Sequence, residues 1–163
     1  MLHTRRKAIR VAAVAAVAAA GLLASPPAGA LGDSASFKAR STEWTQSGTG
    51  VTIDQGNGTY LTVAAVKNSV DGDGAVVAKL ALNGSSGTDT ATRYQANGMQ
   101  KFEETFTLGQ ADANGMIPYN GSGKCTGPGT GAHKNEKCSY TFTGTLNSAT
   151  QVVNFNIEGT STR

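Results

Sequence analysis

The chain has 163 residues, with 14 Lys plus Arg against 11 Asp plus Glu and a formal charge of +3. Four of the cations, Arg5, Arg6, Lys7 and Arg10, fall within the first thirty residues, which contain no acid. The remainder carries 10 basic and 11 acidic side chains, net near −1 and dispersed, which argues against a nucleic-acid partner.

In chain order the first element is an address. Thr4-Arg5-Arg6-Lys7 forms a positive start, Val11 to Leu23 an apolar run, and Ala28-Gly29-Ala30 a small-residue cleavage site. That run, about 13 residues, is too short to cross a hydrocarbon core of roughly 30 Å, so no membrane span is expected. Residues 1–30 therefore read as a secretion signal cleaved after Ala30. Export by the Sec route is favoured over the twin-arginine route, because Ala8 stands where the latter prefers a large apolar residue. The product is expected outside the cell, with residues 31–163 forming one domain.

That domain reads as strands. It holds 19 Gly and 19 Thr and no window of helical periodicity. Strand-like segments run over Ala35–Thr45, Gly50–Asp54, Thr59–Val66, Ala75–Leu82, Asp89–Gln95, Gln100–Leu108, Met116–Tyr119, Cys138–Leu146 and Gln151–Glu158. Between them lie turn signals such as Gln55-Gly56-Asn57-Gly58, Asn83-Gly84, Asn97-Gly98 and Asn120-Gly121. Alternation assigns the faces: Tyr140, Phe142 and Leu146 share a side, as do Val153, Phe155 and Ile157, and Val76, Ala78, Leu80 and Leu82. Eight or nine sequential strands predict an all-β fold, a single antiparallel barrel, with a β-sandwich as the alternative. Closure removes sheet edges, and Thr-rich outer faces need no covering helices.

Two cysteines, Cys125 and Cys138, remain after signal removal. An even count in an oxidising compartment predicts one disulfide, and two Cys with one nearby His match no zinc spacing. The loop between them contains His133 beside Lys134, Asn135, Glu136 and Lys137, a pattern that reads as a solvated tip. No metal or other cofactor is expected. Asp71-Gly-Asp-Gly and Asp112-Ala-Asn-Gly lack the distal Glu of a calcium loop and read as turns. A hydrolase triad would have to use His133, and no Gly-x-Ser-x-Gly elbow is present.

The most informative position is Glu104. Phe102, Phe106 and Leu108 define an apolar face and Glu104 lies among them, whereas Glu103 faces water. Desolvation raises the pKa of such a carboxyl, which suits a general acid or base. Two ordinary readings stand beside this: a bend that brings Glu104 to solvent, or a structural ion pair with Arg93 or Lys79. Tyr94, Tyr119 and Tyr140 are candidate cavity hydroxyls, with Phe102 and Phe106 as apolar lining. Trp44, the sole tryptophan, suits either a pocket or the core.

The segment Gly121-Ser-Gly-Lys-Cys-Thr-Gly-Pro-Gly-Thr-Gly131, followed by Ala132-His133-Lys134 and Tyr140-Thr-Phe-Thr-Gly144, resembles a late strand–turn segment of dirigent and allene oxide cyclase-like barrels. Pro128 replaces the first glycine of the family's Gly-Gly-Thr-Gly turn. The resemblance covers about 35 residues and implies an eight-stranded barrel whose cavity takes an apolar small molecule. Members of that group guide cyclisation or coupling of reactive intermediates. The chain is also similar to small secreted actinobacterial proteins of unknown role. The expected function is a secreted small-molecule-binding barrel. If it is an enzyme, it is a cofactor-independent cyclase or isomerase with Glu104 as acid or base. A secreted interaction protein, an inhibitor or cell-surface module presenting the Cys125–Cys138 loop, is the alternative.

Overall fold

A computed structural model describes residues 40–163. The expected signal and its cleavage site, and the start of the Ala35–Thr45 segment, lie outside the described residues. Eight strands follow in order: β1 Ser41–Gly56, β2 Thr59–Asn68, β3 Gly72–Asn83, β4 Ser86–Gln95, β5 Gly98–Leu108, β6 Met116–Thr126, β7 Lys137–Asn147 and β8 Val152–Thr162. Each pairs antiparallel with its sequence neighbours, and β1 pairs with β8 to close the barrel. Among the described residues no helix is long and apolar enough to cross a membrane.

The turns obey local chemistry. Asn57 and Gly58 both take positive φ (55° and 73°), as the tight β1–β2 hairpin requires. The disulfide joins Cys125 at the end of β6 to Cys138 at the start of β7.

Two segments differ from the sequence expectation, for one reason. Ala35–Thr45 and Gly50–Asp54 are not separate strands: β1 runs unbroken through Gly48 and Gly50. Likewise β6 continues past Tyr119 through Gly121 and Gly123, so Asn120-Gly121 is strand and not turn. These glycines mark close approach. A Cβ on Gly48 would overlap the Phe155 ring, on Gly121 the Phe142 ring, on Gly123 the Tyr140 ring, and on Gly144 the Tyr119 ring. A strand glycine often marks such an approach. Here each seats an aromatic ring from the adjoining strand against the wall, as in aromatic rescue of strand glycines.

The barrel is strongly staggered. One row of paired residues runs Trp44, Gly159, Tyr140, Gly123, Glu104, Asp89, Leu80, Tyr60. It returns to β1 at Asp54, ten residues beyond its start. Stagger of this kind accompanies the tilted strands of a closed barrel, typically about 35–45° to the axis. Eight strands leave an interior that side chains fill or that holds one small ligand.

Candidate functional site

The two ends of the barrel differ. One carries the β2–β3 and β4–β5 turns, the disulfide loop and the C-terminus, and it is sealed by polar side chains. Gln46, Asn68, Arg93 and Gln100 are all buried there. Arg93, 3 % exposed, stacks its guanidinium over Trp44 and Phe102, 5.4 and 5.3 Å from the ring centroids. Its Nη1 donates to Gln46 Oε1 at 3.2 Å and its Nη2 lies 3.6 Å from Asp71 Oδ2. Arg163 reaches back to the same carboxylate at 2.9 Å and to Glu136 at 3.2 Å.

His133 belongs to this seal and is not a solvated tip. It is 0 % exposed, with Nδ1 2.6 Å from Glu136 Oε2 and Nε2 3.2 Å from Asn97 Oδ1. The loop is sewn down by Thr130 N to the Met99 carbonyl and Ala132 N to the Asn97 carbonyl, both 2.9 Å. Charged neighbours in sequence suggested exposure, but Glu136 folds inward as the histidine's partner.

Above the seal lies a cavity of about 460 Å³. Its apolar wall comes from Leu80, Phe102, Phe106, Phe142, Phe155 and Ile157, among others. At the far end Asp54, Ser148 and Gln151 line it, beside the β1–β2 and β7–β8 turns. Several of the inward rings lie close against glycines of the adjoining strand.

Glu104 faces this cavity, as the alternation predicted, and so do Phe102, Phe106, Tyr119 and Tyr140. The expectation for Tyr94 does not hold. Its side chain stands on the outer face, 48 % exposed, because its neighbour Arg93 takes the inward position on β4. Nor does Glu104 pair with Arg93, which is engaged with Gln46 and Asp71, or with Lys79, which is exposed on the outside.

The partners of Glu104 are Tyr140 and Asp89. Tyr140 Oη donates a short hydrogen bond to Glu104 Oε1. The reach across two strand spacings is possible because Gly123, between them in register, has no side chain. Asp89 is the cross-strand neighbour of Glu104. Burial first, then the Glu104 charge and a hydrogen bond between the two carboxyls, push Asp89 up to about 9. Burial also raises Glu104, against the opposing pull of its hydrogen bonds to Asp89 and Tyr140. Both tyrosine hydroxyls are pushed upward by burial and by the nearby carboxyls, so each stays a neutral donor. Two carboxyls this close in a low-dielectric wall hold at least one proton at neutral pH.

Asp89 belongs to the candidate site, although its sequence context does not single it out. Asp89, Ala91 and Arg93 alternate with Thr88, Thr90 and Thr92. With no large apolar residue on that face, polarity could not tell inside from outside.

Among the described residues no group of three or more His, Cys, Asp or Glu is placed to hold a metal ion. Comparison with protein-family models, curated proteins and solved structures finds no match to this chain.

Proposed function

We propose that this is an exported barrel that binds an apolar small molecule in its lumen and exchanges protons with it through Glu104 and Asp89. The observation that carries the reading is the cavity of about 460 Å³, apolar in its walls, with Glu104 hydrogen-bonded to Tyr140 and directly across the strands from Asp89. Pockets of that size with a few convergent polar groups and shifted acids are the usual form of a small-molecule site.

In the catalytic form of the proposal the reaction is a cofactor-independent isomerisation or cyclisation. Glu104 takes a proton from one carbon of the substrate, and protonated Asp89 returns one at another position, so the exchange is neutral overall. Tyr140 and Tyr119 orient a polar substituent, and the closed wall excludes water and holds a reactive conformer. The resemblance of Gly121–Gly131 to dirigent and allene oxide cyclase-like barrels adds the class of chemistry. Export rests on the leader sequence, and a disulfide accords with an oxidising compartment. The alternative, a displayed Cys125–Cys138 loop, is less well supported, since His133 is buried and the loop is bonded to the barrel.

Native mass spectrometry of the protein taken from its own culture medium tests the reading. A reproducible bound mass, lost in Glu104→Gln or Phe106→Trp, is the expected result. Protein that never carries or takes up an apolar molecule would overturn it.

A further inference from the structure

The charges of the lumen do not balance. Arg93 is the one base that lines the cavity among the described residues, and Asp71 and Gln46 already answer it at the sealed end. Asp89 and Glu104 have no such answer. The groups acting on each are burial, the other carboxyl and, for Glu104, Tyr140, with no Lys or Arg among them. Asp89 is 8 % exposed, and its Oδ1 is a buried oxygen that no N–H or hydroxyl donor reaches. Buried polar atoms are nearly always paired, and an orphan at a cavity wall calls for an explanation.

A second observation comes from the open end. Its four turns, from Asp54 to Thr59, Asn83 to Ser86, Leu108 to Met116 and Asn147 to Val152, contain Asp54 and Asp112 and no Lys or Arg. The bases Lys134, Lys137 and Arg163 sit at the opposite, sealed end. A cleft lined with one sign of charge and walled by low-dielectric material concentrates ligands of the opposite sign.

We infer that the lumen takes an apolar amine, a hydrocarbon or aromatic body carrying one ammonium group that lies between Asp89 and Glu104. This deepens the binding form of the small-molecule reading and rests on it, since a carboxyl pair that has given up its proton to an ammonium does not also serve as the acid of an isomerisation. The ammonium replaces the proton held by the carboxyl pair, that proton leaves to solvent, and Asp89 Oδ1 gains a donor. The rings of Tyr140, Phe106 and Tyr119 add attraction for a cation as well as apolar contact.

A matched ligand series tests the inference without requiring any variant to fold. 4-Phenylbutylamine, 4-phenylbutan-1-ol and 4-phenylbutanoate share one body and differ in charge. Binding is read by calorimetry and by the fluorescence of Trp44, the sole tryptophan and a lining residue. The expected order is amine tightest, by at least about tenfold over the alcohol, with the acid weakest. Glu104→Gln and Asp89→Asn should weaken the amine more than the alcohol and so shrink the gap between them. An alcohol that binds as tightly as the amine would overturn the cation assignment and leave the cavity reading standing. If no member of the series binds, the cavity reading itself falls.

Discussion

Asp89 on β4 and Glu104 on β5 are direct cross-strand partners, both turned into the barrel lumen. Like charges in that arrangement repel, and burial compounds the cost, so the pair retains a proton. In the unfolded chain an Asp ionises near its ordinary value, whereas folded Asp89 holds its proton up to about 9. Between those limits the folded state binds more protons than the unfolded one, so stability falls as pH rises. The slope is at most about 1.4 kcal/mol per pH unit. Asp89→Asn should flatten it and gain about 1–2 kcal/mol at pH 8. Thermal unfolding of both proteins at pH 4, 6 and 8 decides this, and parallel curves would refute it.

Gly123 is where the wall makes room for the site. Gly123→Ala places a methyl group in the Tyr140 ring, which must swing into the lumen and leave Glu104. Overpacking of this kind costs about 1–3 kcal/mol. Because the cavity narrows as well, ligand uptake should fall more than it does in Tyr140→Phe, which removes only the hydroxyl. Equal uptake by the two variants would show that the ring position is unimportant.

The sealed end should respond to acid in the opposite sense. Burial tends to raise Asp71, but hydrogen bonds from Arg163 and Asn97 and the charges of Arg163 and His133 outweigh it and hold the carboxyl below its ordinary range. That contribution is fully present above the unfolded Asp value and is lost as pH falls through the folded one. Arg163→Ala is expected to cost about 1–2 kcal/mol at pH 7, the lower part of the range for charge-assisted hydrogen bonds because Arg163 is one-third exposed. The penalty should shrink at pH 2–3. Denaturant unfolding at the two pH values measures it, and a pH-independent penalty would point to lost packing instead.

Cys125 and Cys138 close a loop of sequence separation 13 at the sealed end, with Cys125 opposite Phe102, two residues before Glu104 on β5. Replacing both by Ser should lower stability by about 3 kcal/mol. The 4-phenylbutylamine affinity should remain within about twofold at temperatures where the variant is folded. A large affinity loss would mean that the loop shapes the lumen and does not merely seal it.

Much of this molecule follows from local chemistry. Alternation of period two put Glu104 among Phe102, Phe106 and Leu108, and placed Tyr140 with Phe142, because the facing of a strand residue is set by its immediate neighbours. The all-β class, the antiparallel order and the single disulfide follow from turn residues, strand spacing and an even cysteine count. What local pattern cannot reach is which residue on one strand meets which on another. The stagger of a closed barrel decides that, and it alone sets Asp89, Glu104, Gly123 and Tyr140 in one row. The same limit explains Tyr94 and His133. On β4, apolar content could not distinguish inside from outside, so the inward turn of Arg93 and the outward turn of Tyr94 depend on partners at the sealed end. His133 is buried because Asn97 and Arg163 converge on it from distant parts of the chain and Glu136 from its own loop. Sequence determined the faces of the strands that carry an apolar alternation; tertiary closure determined which way β4 faces and which residues become neighbours, because alternation is local and register is not.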